Sequence, residues 1–364
     1  MSSRTPRDGA PTIRDVAARA GVATATVSNV LTGRRSVGAD KQRLVLEAVA
    51  ALGYRPNHLA ASLRRQQSRT IGIVVPDITN PFFTAIVRRI EEVAGAADYE
   101  SVLVDCNEST VREGARLRAL LARMIDGLIV APTEDDLAAH APLLPRLPSS
   151  VLIDRGFGTA GFDSVAADNE DAAWRGCRHL LELGHRDIAL LASARELSNI
   201  RDRIAGYQRA LAEAGCGGRA RVVLGGHGVE SSRAAIEQEL RRADRPTAVF
   251  AVTYPATLGA VKAIRALDLA CPDDVSLLGF DESDWMTVLR PYVSTILQPS
   301  ELIADRAWQL ISARLARSAA PFEHVRLPCT LAVRESTKPP PADAAARRHA
   351  RRTEARHIKG RMIA

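Results

Sequence analysis

From Thr70 onward the chain alternates short, almost wholly apolar segments with amphipathic ones, and no other feature restricts its fold as strongly. TIGIVV precedes FFTAIVRRIEEVAGAA, SVLVDC precedes VREGARLRALLARM, and DGLIVAP and SVLIDRG continue the series. A second run contains AAWRGCRHLLELG, DIALLAS, RIAGYQRALAEAG, RVVLGG, a helix through Ile236 and Leu240, TAVFAV, ATLGAVKAIRALDL and SLLGFDE. Strands that are apolar on both faces belong in parallel sheets covered by helices on each side, and the number of units suffices for two such sheets. Ligands of these folds gather at the carboxyl ends of the strands.

The chain has 364 residues, and at roughly 150 residues per domain this suggests about two or three domains. Hydrophobic residues make up 46% and charged residues 25%, close to the globular average, so wholesale disorder and a fibrous rod are disfavoured. The chain lacks a run of eighteen apolar residues, and its start, MSSRTPRDGAPT, has no apolar stretch of the secretory kind; it reads as cytoplasmic with no membrane partner. Five scattered cysteines without CxxC spacing argue against disulfides and structural zinc. The net charge of +7 is unevenly spread: residues 1–70 carry +8, residues 338–364 carry +6, and the body between them carries −7. The basic ends, not the acidic body, are therefore the parts suited to a polyanion.

The first seventy residues read as short helices. TIRDVAARA places Ile13, Val16, Ala17 and Ala20 at helical spacing, with Thr12 as N-cap and Asp15 in the first turn. After the break at Gly21-Val22, ATATVSNVL sets Val27, Val30 and Leu31 on one face and Thr24, Ala25, Ser28 and Asn29 elsewhere. Two helices joined by so short a turn cross steeply, which is the helix-turn-helix arrangement. A third helix, ADKQRLVLEAVAALG, supplies Leu44, Val45, Val49 and Leu52 to close a small core. A tight helical pair more often serves packing alone, but here it is strongly basic and its second helix shows small polar side chains.

TIRDVAARAGVATATVSNVLTG, then ALGYRPNHLAASLR, then IGIVVPDITNPFF resemble, in that order, the lactose/galactose repressor (LacI) family of bacterial transcription regulators; RIAGYQRAL, LGFDESDW and VSTILQP fit the same pattern. The resemblance covers roughly residues 12–336 and implies a small all-α headpiece, a hinge helix and a two-lobed α/β core of the type I periplasmic-binding-protein kind with parallel sheets. It implies a disordered start at 1–11, a headpiece at 12–56, a hinge helix and linker at 57–69, a core at 70–337 and a basic disordered tail at 338–364. Within the core, one lobe spans about 70–166 and 297–326 and the other about 167–293 and 327–337.

By that resemblance Thr24, Ala25 and Asn29 read bases, while Thr12, Thr26, Ser28 and Asn57 touch phosphate, with Tyr54 in the same interface. Hydroxyls suit the backbone, and an Asn amide can pair bidentately with an adenine edge. The hinge RPNHLAASLRR, opened by Pro56, groups Leu59, Ala60 and Leu63 on one face, and Leu63 matches the leucine that wedges between base pairs. Ala23 stands where the family carries a capping Ser, at a cost of about 1 kcal/mol, and Gly38 replaces the Ser before the third helix.

The resemblance also implies an effector site built from Phe82, Phe83, Asp154, Arg155, Asn199, Arg203 and Asp281, with Tyr254 in place of a family Asn-Asp position, where its ring would stack on the ligand or narrow the cleft. Charged groups across a cleft bind vicinal hydroxyls, and an aromatic wall stacks on the apolar face of a sugar, so the expected effector is a sugar or sugar acid. Trp285 reads as packing the following helix. The implied function is a dimeric repressor of carbohydrate genes that binds a palindromic operator in double-stranded DNA and answers to a small molecule. The alternatives are a sugar-binding receptor or an enzyme on the same core. Against an enzyme, GxSxG, HExxH and GxxxxGKS are absent, the eight His are scattered, and His179 and His185 flank a helix end in a structural setting; no cofactor or metal is implied.

Overall fold

The computed structural model describes residues 11–32, 36–54, 67–135, 137–193 and 197–341, in two compact units that divide between Ser68 and Arg69. The readings of Asn57, Leu63 and the hinge helix lie outside the described residues, as do those of the first ten residues and of the tail beyond 341.

In the first unit α1 (Ile13–Ala20), α2 (Thr24–Thr32) and α3 (Ala39–Leu52) form a small bundle. Thr12 is extended ahead of α1, and its N–H donates to Asp15 Oδ2 at 2.8 Å, the carboxylate half of a capping box. Gly21 ends α1 at φ 66°, a left-handed conformation that glycine adopts without strain, and the chain re-enters a helix at Thr24. Val16, Ala17, Val27, Val45 and Ala48 make the core. Leu44, expected there, is instead 40% exposed. The inward stripe of α3 runs through Val45, Ala48, Val49 and Leu52 at helical spacing, and Leu44 falls one residue off it.

The second unit holds two six-stranded sheets. In the first, β1 (Thr70–Val75), β2 (Glu100–Asp105), β3 (Gly127–Val130), β4 (Ser149–Ile153), β5 (Asp163–Ala167) and the late strand β11 (His324–Leu327) are all parallel, in the order β11-β5-β4-β3-β1-β2. Alternate residues of TIGIVV serve opposite faces: Ile71 and Ile73 pack with α4 (Pro81–Gly95) and α11 (Ser300–Leu315), Val74 with α5 (Thr110–Ala122). The second sheet comprises β6 (Ile188–Ala192), β7 (Arg221–Leu224), β8 (Ala248–Ala251), β9 (Ser276–Phe280), β10 (Ser294–Leu297) and β12 (Thr330–Ala332), ordered β12-β10-β9-β8-β6-β7. Its faces are covered by α6 (Asn169–Glu182) and α7 (Ser198–Glu213) on one side and by α8 (Val229–Leu240) and α9 (Tyr254–Ala266) on the other. The short α10 (Trp285–Val288) follows β9.

Both sheets reverse strand order beside their first strand, which places a topological switch point at the carboxyl ends of β1/β3 and β6/β8. One strand departs from the all-parallel expectation: β12 pairs antiparallel with β10. The chain leaves β11 at the carboxyl edge of the first sheet and enters the second at its own carboxyl edge, so it can only run against the others. Strand pairing also places the crossings between the lobes. Ala167 and Leu327 pair within the first sheet and Leu297 within the second, so the three crossings fall at 168, 298–299 and 328–329.

Two local contacts fix the elements that carry the site. Helices α6 and α7 approach so closely that a β-carbon on Gly206 would lie 2.1 Å from the Glu170 carbonyl oxygen, which sets the position of α7. Helix α11 is tied to β5 by Arg314, whose Nε and Nη2 donate to the fully buried Asp163 at 2.7 and 2.8 Å.

Candidate functional site: the cleft between the lobes

Asp154 follows β4 and Asp281 follows β9, each at the carboxyl end of its strand and each in the left-handed region, at φ 63° and 69°. That conformation costs a residue with a β-carbon about 1 kcal/mol or more, and it persists where surrounding structure holds it for a purpose. On α7, Asn199 and Arg203 are four residues apart and so share a face. Asn80 caps α4 by accepting from the Phe82 N–H at 3.1 Å, with Pro81 at the first helical position, and this start brings Phe82 and Phe83 together edge to face at 5.0 Å. These side chains line one cleft with Asn80, Ser193, Thr253 and Gln298, part of it open to solvent.

The cleft is densely charged. Asn199 Nδ2, from the second lobe, donates to Asp154 Oδ2 of the first at 3.1 Å. Arg203 donates from Nε to Asn169 Oδ1 at 2.8 Å and from Nη1 to the Val252 carbonyl at 2.6 Å, with its guanidinium 3.8 Å from the centre of the Phe280 ring. Arg155 makes a bidentate pair with Glu108 at 2.7 and 2.8 Å. Gln298 Nε2 donates to Asp281 Oδ1 at 2.7 Å. A second bond between lobes lies outside the cleft wall, where Asp135 accepts from the Ser198 hydroxyl at 2.7 Å and from Arg201 at 3.2 Å.

Burial pushes the carboxyls of Asp154 and Asp281 upward, against the pull of Arg155 and Arg203 on the first and of Arg203 on the second. Burial also pulls Arg203 down, opposed by both carboxylates. For Arg155 burial acts downward too, but the hydrogen bonds and charge of Glu108 prevail and leave it raised. Four buried atoms of this cleft lack a hydrogen-bond partner: Asp154 Oδ1, Arg155 Nε, Asn199 Oδ1 and Gln298 Oε1. Unpaired buried polar atoms are costly, and these four belong to residues that line one cavity.

Phe82, Phe83, Asp154, Arg155, Asn199, Arg203 and Asp281 are thus brought together, although they come from both lobes. Tyr254 is not among the residues that line the cleft, though its backbone N–H bonds to Asp281. The aromatic ring packs on the cluster under α9, and Thr253, one residue earlier, lines the cavity while its hydroxyl caps α9 by accepting from the Ala256 N–H at 3.2 Å. A residue at the first position of a helix turns its side chain toward the helix flank, whereas the capping residue faces the strand end. Glu108 and Gln298 were not among the expected residues. Gln298 directly follows β10, at a carboxyl strand end, and that placement was legible; Glu108 sits on a turn whose sequence, CNES, carries no comparable signal. Trp285 packs against the same cluster as Tyr254. His185 is fully buried between Thr247 Oγ1 (2.8 Å) and the Lys338 carbonyl (2.9 Å), a structural setting. A larger groove runs beside α9 and α10; its walls are mainly apolar, among them Leu258, Val261 and Trp285, and Lys262, Arg265 and Arg290 also line it, with no carboxylate among the lining residues.

In the headpiece, Thr12, Thr24 and Ala25 are exposed, and Thr26, Ser28 and Asn29 are half-buried on the same helix as the core residue Val27. Tyr54 packs against the headpiece core. Ala23 supplies only its backbone carbonyl at the start of α2, accepting from Val27 N–H at 3.2 Å.

The headpiece and core each have known counterparts. Residues 12–57 match the model of bacterial regulatory proteins of the lacI family, and residues 177–337 match that of a periplasmic binding protein-like domain. The chain is 32% identical to catabolite control protein A of Priestia megaterium over 333 residues, 90% of this chain and 99% of that protein. It is also 32% identical to the HTH-type transcriptional repressor PurR of Photobacterium profundum, over 84% of this chain and 92% of the relative. Among solved structures, the lac repressor dimer bound to operator and an anti-inducer aligns with a TM-score of 0.80 at 26% identity, covering 91% of this chain and all of that one. A LacI family regulator from Enterococcus faecium with bound ribose aligns at 0.68 and 26% identity over 74% of this chain and 99% of that one. These relatives are regulators rather than enzymes, and with its helix-turn-helix headpiece, two-lobed core and near full-length match the chain belongs to the lacI family of bacterial regulatory proteins.

Proposed function

We propose that the protein is a cytoplasmic transcriptional repressor that binds a palindromic operator as a homodimer and adjusts its grip when a carbohydrate occupies the cleft between its lobes. The observation that carries the effector reading is the cleft itself: Asp154, Asp281, Asn199, Arg155 and Arg203 converge on a cavity walled by Phe82 and Phe83, with unpaired polar atoms among them. Such a set fits the hydroxyls and the apolar ring face of a sugar. Solved relatives bound to ribose and to cellobiose support the same reading.

On DNA, Thr24, Ala25 and Asn29 read base edges while Thr12, Thr26, Ser28, Tyr54 and Asn57 hold the backbone and Leu63 enters the minor groove. The exposure of Thr12, Thr24 and Ala25 and the basic balance of this region support that assignment. Two headpieces on one dimer match the two halves of a symmetric site. Selection of bound sequences from a random duplex library tests this: enrichment of an inverted repeat is expected, and a pool without symmetry would reject the dimer reading. A thermal-shift screen of sugars on the full chain tests the effector, since a ligand at about a hundred times its Kd stabilises by about 2.7 kcal/mol. Adding each hit to the operator assay then gives the sign of the coupling.

A further inference from the structure

We infer that Glu108 sets the charge class of the effector: by occupying both terminal nitrogens of Arg155 it leaves an acceptor-rich cleft that selects neutral polyhydroxylated molecules and turns away carboxylates and phosphates. This rests on the carbohydrate reading above and narrows it, because that reading admits sugars and sugar acids alike.

An arginine facing a ligand cavity is ordinarily the group that captures an anion, through two parallel N–H donors. Here that fork is already taken. Glu108 accepts from Arg155 Nη1 at 2.8 Å and from Nη2 at 2.7 Å, and Nη1 is shared further with the carbonyls of Pro132 and Thr133. The carboxylate is placed by its backbone: Asn107 and Glu108 are consecutive left-handed residues at φ 47° and 50°, and the Glu108 N–H donates to the Pro76 carbonyl at 2.7 Å. Of Arg155, only Nε makes no hydrogen bond, and it stands 3.7 Å from Asp154 Oδ2 as an ion pair.

The second guanidinium is committed at two of its three nitrogens. Arg203 spends Nε on Asn169 and Nη1 on Val252, rests on the Phe280 ring, and faces the charges of Asp154 and Asp281. The carboxamides complete the pattern. Asn199 and Gln298 each give their amide N–H to a carboxylate, an arrangement that fixes which end is nitrogen and leaves the oxygens unpaired. The buried unpaired atoms are therefore three acceptors, on Asp154, Asn199 and Gln298, against the one donor of Arg155. At full ionisation the lining carries two carboxylates (Asp154, Asp281) and two guanidiniums, and Glu108, outside the lining, offsets the charge of Arg155, so Asp154 and Asp281 face Arg203 alone. A further anion in this buried place would meet like charge and too few donors, whereas hydroxyls supply the donors that the three oxygens lack.

The test is binding by the full chain to matched neutral and anionic probes: glucose, galactose and ribose beside glucuronate, galacturonate, glucose 6-phosphate and ribose 5-phosphate. Isothermal titration is run on wild type, Glu108→Gln and Glu108→Asp. Wild type is expected to bind a neutral probe and to disfavour its anionic partner by at least about tenfold. Glu108→Gln frees the Arg155 fork and is expected to raise the anion-to-neutral affinity ratio by about tenfold, while Glu108→Asp, which keeps the charge, holds the ratio near wild type. Since a ratio is read, a general loss of fold or affinity does not imitate the effect. Wild-type preference for an anionic partner overturns the filter while leaving a carbohydrate site in place, as does an unchanged ratio in Glu108→Gln. If wild type binds no probe of either class, the carbohydrate reading itself fails and the filter falls with it; if Glu108→Gln does not fold, the wild-type preference alone decides.

Discussion

At the scale of single residues, the cleft carries charge that the fold would be more stable without. Burial raises the carboxyl of Asp281 above its ordinary range, so its ionised form is penalised in the folded state. A raised carboxyl favours folding below its unfolded pKa and loses that benefit as pH climbs through the folded value, so at neutral pH the penalty is in force. Asp281→Asn keeps an oxygen to accept from Gln298 and removes the charge. It is expected to raise the melting temperature of the ligand-free protein at pH 7, with the gap to wild type closing as pH falls, and to abolish the ligand-induced shift; melts at several pH values with and without sugar check all three. On DNA, Asn29→Ala is expected to cost about 1–3 kcal/mol on the selected operator and far less on random duplex, because an amide that reads a base edge contributes only where the base is right. Fluorescence anisotropy on both duplexes gives that difference.

At the scale of elements, stability depends on how helices start and how closely they meet. Helix α2 begins on Ala23, whose side chain offers no acceptor to the open N–H groups of its first turn. Ala23→Ser is expected to stabilise the headpiece by about 1 kcal/mol, measured by hydrogen exchange within α2. The contact of α6 with α7 tolerates no β-carbon at Gly206, since Glu170 O would lie 2.1 Å away. Gly206→Ala pushes α7 outward and carries Asn199 and Arg203 with it; a loss of about 1–3 kcal/mol on denaturant unfolding is expected, together with weakened sugar binding. Asp163, held below the usual carboxylate range by the Arg314 pair although its burial acts upward, ties α11 to β5. Removing one partner of such a buried pair costs about 3–5 kcal/mol, so Asp163→Ala is expected to unfold the core at lower denaturant. Its stabilising part persists above the ordinary Asp pKa and is lost as pH falls through the lowered one, so acid should narrow the gap between mutant and wild type.

At the scale of the whole molecule, the division at Ser68/Arg69 separates the polyanion-binding part from the ligand-binding part. Removal of residues 1–68 is expected to abolish salt-dependent operator binding while leaving the sugar-induced thermal shift intact. In the full chain, effector and operator must change each other's affinity by the same factor, about 1–3 kcal/mol in proteins of this type of coupling; two titrations in opposite order measure it. Much of this organisation was readable from the linear chain. Period-two and helical apolar patterns are local properties, so the alternation after Thr70 determined two helix-covered sheets, and the crossed helix pair with its basic charge determined a DNA-binding start. Motif order also named Phe82, Asp154, Arg203 and Asp281, which line one cleft in the structure. Where a side chain ends up is a different matter, because it depends on partners far away in sequence. Leu44 turned outward, and the Tyr254 ring packed beside the cluster under α9 while staying half-buried. The reversed edge strand β12 followed from where the chain re-enters the second sheet. Glu108 reached Arg155 across 47 residues, and its carboxylate took up a guanidinium whose partner the sequence alone did not identify. Local spacing encodes elements and faces; hydrogen-bond partners and the balance of charge in a buried cleft arise only when distant segments are packed together.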